Sequence, residues 1–343
     1  MKAYTTFMAL LLISLAANAQ KPWKIAGEEL LFNNPPFAEC HASTIVEINP
    51  GKLMVAYFAG TGEGNKDVGI WLSTQEKGKW SEPVLIADGV ISDTLRYPSW
   101  NPVLFKAREG KLFLFYKVGP SPREWWGMVR TSMDDGKTWT AAAKLPAGIL
   151  GPIKNKPVQL ADGTILAPSS TETKTSWKAH IEKTSDLGVT WQLIPVDPET
   201  TFDVIQPSIL FHTGNKLQIL CRSKQNKVIQ AYSEDNGNTW SALSETNLPN
   251  PNSGTDAVTL KNGLQVLVYN PTTRGKEWSN GRAKLNVAVS KDGKQWTDVA
   301  VLEDHSEGEY SYPAVIQTKD GKVHITYTYD RKNVKHVVFE PGK

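Results

Sequence analysis

Cysteine is almost missing from this 343-residue chain, which carries only Cys40 and Cys221. Two are too few for a disulfide-stapled scaffold, and the repeat map below assigns them to different blades, so buried free thiols are expected. Excess charge of one sign is missing too: 38 Lys and Arg against 35 Asp and Glu leave a formal net charge of +3. That balance gives no reason to invoke nucleic acid or an anionic membrane surface. No His/Cys cluster has metal-ligand spacing, no glycine-rich phosphate loop runs into a helix, and no nucleophilic Ser elbow is visible. Neither metal nor cofactor is expected.

One apolar run stands out, Phe7 to Leu15, and it is too short to span a bilayer. With Lys2 before it and Ala17-Asn18-Ala19 after it, it reads as a secretory signal cleaved before Gln20. Residues 1–19 are thus expected to be removed, and residues 20–343 to form one exported domain, secreted or periplasmic, monomeric and without membrane insertion.

The strongest pattern is self-similarity at a period of roughly 50 residues, the range of propellers and solenoids. Ser132 to Trp139, Thr184 to Trp191 and Ser233 to Trp240 each read Ser/Thr-x-Asp-x-Gly-x-Thr-Trp. Weaker copies lie at Ser290 to Trp296 and Ser73 to Trp80. The Asp bonds nearby backbone N–H groups, the Gly takes positive φ and the Trp covers the blade, so each copy is a structural staple. Paired apolar strands precede the staples, beginning at Ser43, Pro102, Pro157, Pro207, Asp256 and Pro313. Alternation and β-branched content favour strands throughout. The expectation is all-β: a six-bladed β-propeller of four-stranded blades, closed by pairing of Ile25 to Phe32 with Val334 to Phe339.

Propeller geometry gathers the starts of innermost strands, the ends of second strands and the starts of third strands at one mouth. Those places are polar here. Innermost starts supply Glu39, His41, Trp100, Asn101, Lys156, Gln206, Asp256, Tyr310 and Tyr312, and the other two sets supply Lys117, Arg222, Arg331, Asp67, His180 and Arg282. Cations crowded together need an anion among them, and arginine forks bind carboxylates in bidentate fashion. An acidic oligosaccharide or polysaccharide is the guest such a mouth fits, although pairing of Arg222 and Arg282 with carboxylates between blades explains the same pattern.

At these positions the chain resembles the sialidase superfamily over nearly all of its length after the signal. Phe58-Ala59-Gly60 leading to Asp67 is similar to the segment that carries the sialidase catalytic Asp. Cys221-Arg222-Ser223 and Asn270-Pro271-Thr272 with Arg282 resemble two arginine segments, and Tyr310-Ser311 resembles the pair bearing the nucleophilic tyrosine. Two departures stand out. Cys40-His41-Ala42-Ser43 replaces an arginine-bearing start, and Gln206 falls near the glutamate that supports the tyrosine; a Gln cannot take a phenol's proton.

The resemblance implies an exo-acting glycoside hydrolase for a terminal acidic sugar, or for a sugar capping a uronate. Asp67 would be general acid, Tyr310 nucleophile, and His41 an acid or base near neutral pH, with Glu309 standing in for the missing glutamate. Arg222, Arg282, Gln206, Asn101, Lys156 and Asp256 would bind substrate, with Trp100 as a platform for a pyranose ring. A uronate lyase and a non-catalytic glycan-binding propeller are the alternatives on the same fold.

Overall fold

A computed structural model describes residues 23–277 and 279–342; the export signal read at 1–19 lies outside the described residues. Every regular element among them is a strand. Six antiparallel sheets form the blades. Their innermost strands are Glu39–Asn49, Ser99–Lys106, Val158–Gln159, Val204–Phe211, Asp256–Thr259 and Tyr310–Gln317. Each pairs with the strand that follows it in the chain, so the sheets run outward from the axis in sequence order.

The ring closes as the sequence predicts. Lys24–Leu30 is the outermost strand of blade six and pairs antiparallel with Asn333–Glu340, with Ile25 opposite Phe339 and Leu30 opposite Lys335. The blade therefore takes strands from both ends of the described chain.

Second strands such as Leu112–Val118, sequence LFLFYKV, are buried along their whole length because a neighbouring blade covers each face. Between blades three and four, Ile181, Ile209, Ile219 and Ile229 pack in one cluster, and each such side chain contributes about 2 kcal/mol on leaving water. Cys40 and Cys221 are buried and free.

The staples form as expected. In the first, Asp134 Oδ1 accepts Thr138 N at 2.9 Å and Ser132 Oγ at 2.7 Å, while Gly136 N donates to Ser132 Oγ at 2.8 Å. Trp139 Nε1 folds back to Gly136 O at 3.1 Å. Gly136 has φ +81°, a conformation that strains an L side chain, and a Cβ there would meet Met54 Cε of blade one at 2.4 Å and displace that methyl, so glycine suits the place where the staple seats against the preceding blade.

Four innermost strands share a device that the site depends on. Between His41 and Thr44, Trp100 and Val103, Ile205 and Ser208, and Ser311 and Ala314, one extra residue interrupts the ladder. At each bulge a non-glycine residue holds positive φ: Ala42 (55°), Asn101 (35°), Gln206 (56°) and Tyr312 (52°). Bulges re-aim side chains, and here the same uncommon backbone conformation recurs where four innermost strands begin.

Candidate functional site

Tyr312 is the centre of the site. Its bulge turns the phenol toward Arg222, whose Nη1 donates to the Tyr312 hydroxyl oxygen at 2.5 Å. The Arg222, Arg282 and Lys154 cations stand 5.7, 5.8 and 5.8 Å from the centre of the Tyr312 ring. From blade one, the His41 ring lies 4.2 Å away, centre to centre. Blades one, three, four, five and six thus contribute to one cluster.

Hydrogen bonds fix the two arginines in place. Arg222 Nε donates to Asn252 Oδ1 at 2.9 Å, and Nη1 also reaches Gln206 Oε1 at 3.4 Å. Arg282 Nη1 pairs with Glu309 Oε1 at 2.7 Å, and Nη2 donates to Asn252 O at 3.1 Å. Glu309 additionally accepts Ser311 Oγ at 2.9 Å and Arg331 Nε at 2.6 Å. Arg331 goes on to Glu63 at 2.6 Å, which ties the loop after Gly60 over His41. Glu63, Arg331, Glu309 and Arg282 are therefore one continuous chain of alternating charge.

Charge states follow from this packing. Burial drives the His41 pKa well below its usual value, and Arg331, Arg282 and Arg222 push the same way against Glu309, so the imidazole is neutral. Burial opposes ionisation of Glu309, but the guanidiniums of Arg282 and Arg331 outweigh it and hold the carboxyl well below the usual range. Lys154 is pulled down to about 7, first by burial and then by Lys156 and Arg222, against Asp256. Its ammonium donates to Asn155 Oδ1, Thr255 O and Pro313 O at 2.8, 3.0 and 2.6 Å, bracing blades three, five and six across the axis.

The structure thus brings His41, Arg222, Arg282, Gln206, Glu309, Tyr312 and Arg331 together, but not the other expected residues. Tyr310 points away from the cluster: its hydroxyl donates to Asp330 Oδ2 at 3.1 Å, its ring stacks on His305, and burial with the Asp330 bond pushes its phenol up to about 12. Tyr312 occupies the place expected of Tyr310, because the bulge re-aims the residue before Pro313. Asp67 is exposed, with Oδ2 accepting Thr61 N at 2.7 Å and Oδ1 accepting Thr61 Oγ1 at 2.8 Å; it clamps its own loop and lacks the burial expected of a general acid.

Lys156 and Asp256 pair with each other at 2.8 Å, and Asp256 also accepts Val315 N and Ser208 Oγ, so this pair stitches innermost strands together. Trp100 is buried with its Nε1 bonded to Gly119 O at 2.9 Å and its ring edge-on to Trp125, which leaves no open platform. Asn101 is buried at its bulge. Lys117 and His180, also placed at the mouth by the strand map, sit in a closed junction around the fully buried Glu182.

Two residues at the mouth escape the sequence reading. Trp177 opens the third strand of blade three, with Arg222 at 5.3 Å and Lys224 at 4.4 Å from its ring centre. Glu172, at the end of the second strand of that blade, is paired with Trp177 across the hairpin. The signal for both was positional: they hold the strand-end places that yielded Arg222 and Arg282.

The blade count, the staples and the cationic mouth together define a sialidase-like β-propeller. The chain belongs to the BNR repeat-like domain family, whose sequence profile matches residues 51–325. Among solved structures it is similar to a protein of unknown function from Dyadobacter fermentans, with a TM-score of 0.74 and 16% identity over 93% of this chain and 99% of that one. A mutant NanB sialidase from Streptococcus pneumoniae is similar with a TM-score of 0.70 and 13% identity over 91% and 70% of the two chains. A mutant Trypanosoma rangeli sialidase displaying trans-sialidase activity gives 0.71 and 17% over 92% and 57%. Likeness at these identities is likeness of fold. No curated protein matches the chain in sequence.

Proposed function

We propose that this protein is an exported glycoside hydrolase that removes a terminal acidic sugar, or a sugar capping a uronate, from an extracellular glycan. The observation that carries the reading is the convergence of Arg222 and Arg282 on one phenol, Tyr312, at the propeller mouth. Two guanidiniums held rigid by Asn252, Gln206 and Glu309 form a preorganised grip for a carboxylate. Tyr312 sets its oxygen against the sugar ring, where the transition state gathers positive charge, and water completes the displacement. His41, neutral and packed on Tyr312, holds the phenol in position.

Contact between His41 and Tyr312 also fits a second reaction on the same grip, β-elimination beside a uronate carboxylate. One experiment tests both: purified protein is incubated with a panel of sialylated and uronate-containing oligosaccharides, and products are resolved by mass spectrometry and ultraviolet absorbance. Hydrolysis releases a saturated monosaccharide, whereas elimination yields an unsaturated, absorbing product. Saturable binding without turnover would make the protein a glycan-binding propeller and overturn the enzymatic reading.

A further inference from the structure

Hydrolysis at this mouth needs a proton donor for the leaving oxygen, and Asp67 is exposed and bonded to its own loop. Other acidic side chains of the cluster are committed as well: Glu309 to Arg282, Arg331 and Ser311, and Glu63 to Arg331. Glu172 differs. It ends the strand Ile165–Glu172, two residues after Ser170, whose Oγ accepts Gln206 N of blade four at 3.3 Å. Strand alternation puts Glu172 on that same side, and its cross-strand partner Trp177 lies beneath Arg222.

Glu172 is therefore a half-buried carboxyl at the strand end, paired across the hairpin with the Trp177 on whose ring Arg222 and Lys224 pack, and among the described residues no donor bonds it. Its oxygens keep contact with solvent, and a carboxyl left uncommitted at the strand end beside Arg222 is open to a ligand. We propose that Glu172 is the acid and base of the hydrolytic reaction, an assignment that rests on the hydrolase reading above. As the anomeric C–O bond breaks, the Glu172 carboxyl passes its proton to the leaving glycosidic oxygen. The water that bonds to the anomeric carbon then returns a proton to the Glu172 carboxylate, so the acid is restored and one water is consumed. Burial raises the Glu172 pKa against the pull of Arg222, Arg123 and Lys224, the direction a proton donor requires.

The test compares wild type, Glu172→Gln and Glu172→Asp on two substrates that share the accepted sugar. One carries a sugar as leaving group and the other an acidic phenol, which departs without protonation. With Glu172→Gln, kcat is expected to fall roughly 100- to 10,000-fold on the sugar-linked substrate and less than about 10-fold on the aryl glycoside, with the alkaline limb of the pH profile lost. Glu172→Asp is expected to keep that limb at a shifted pH, which reads the role even if the Gln variant folds poorly. Equal losses on both substrates, or a wild-type pH profile in Glu172→Gln, would overturn the assignment while leaving the hydrolase reading intact. Absence of turnover by wild type on every substrate would bring down the hydrolase reading, and Glu172 as its acid with it.

Discussion

At the scale of single residues, burial decides what each polar group at the mouth does. His41 is 2% exposed, accompanied by Thr328 Oγ1 at 2.8 Å from Nδ1, and its pKa is depressed. In the unfolded chain the same imidazole titrates at about 6.5, so the unfolded state binds the proton first. Its stabilising contribution is accordingly complete above that pH and is lost as pH falls toward the folded value; His324, lowered to about 4 by burial, acts in the same direction. Urea melts at pH 7.5 and 5.5 are expected to show lower stability at the acid value, with a smaller difference in His41→Gln. Lys154 gives a second test. Replacing it by Met leaves Thr255 O and Pro313 O without its ammonium in the axis, and about 2 kcal/mol or more of stability should be lost in the same melts. Tyr312→Phe removes the oxygen that Arg222 holds, and a fall in kcat of about 100-fold is expected while Tyr310→Phe stays close to wild type.

Elements explain why some of the site was legible in the sequence and some was not. Arg222 and Arg282 were found because strand ends, counted from the staples, point to the mouth whatever the local detail. Tyr310 was preferred to Tyr312 because Tyr310-Ser311 resembles the Tyr-Ser pair of sialidases, and regular pairing gives no reason to separate residues two apart on one strand. The bulge separates them, and its trace in the sequence is slight: Asn101-Pro102, Gln206-Pro207 and Tyr312-Pro313 each place proline after the positive-φ residue. Glu172 holds one of those strand-end places and was passed over because what sets it apart, the Trp177 ring across the hairpin with Arg222 of the next blade upon it, is a contact that strand position alone does not show. The bulge is itself testable. Ala42 holds φ 55° against the preference of an L residue, so Ala42→Gly should stabilise the fold by about 1 kcal/mol in thermal or urea melts, and a β-branched Val there should destabilise it.

Over the whole molecule, the mouth exists only because the ring is shut. Blade six carries Glu309 and Tyr312 on or beside its innermost strand and depends for its outermost strand on Lys24–Leu30. Removing residues through Leu30 is expected to lower the thermal midpoint and weaken carbohydrate binding together, with binding restored when the segment is supplied again at the N-terminus. The repeat predicted this closure because a leftover β segment at one end matched an incomplete blade at the other. The central claim is the proposed grip of Arg222 and Arg282 on a sugar carboxylate, and calorimetric titration with an acidic monosaccharide and its methyl ester tests it most directly. The acid should bind wild type, the ester should bind at least about 100-fold more weakly, and Arg222→Met should abolish the difference. Equal binding of acid and ester, or acid binding that survives loss of both arginines, would contradict it.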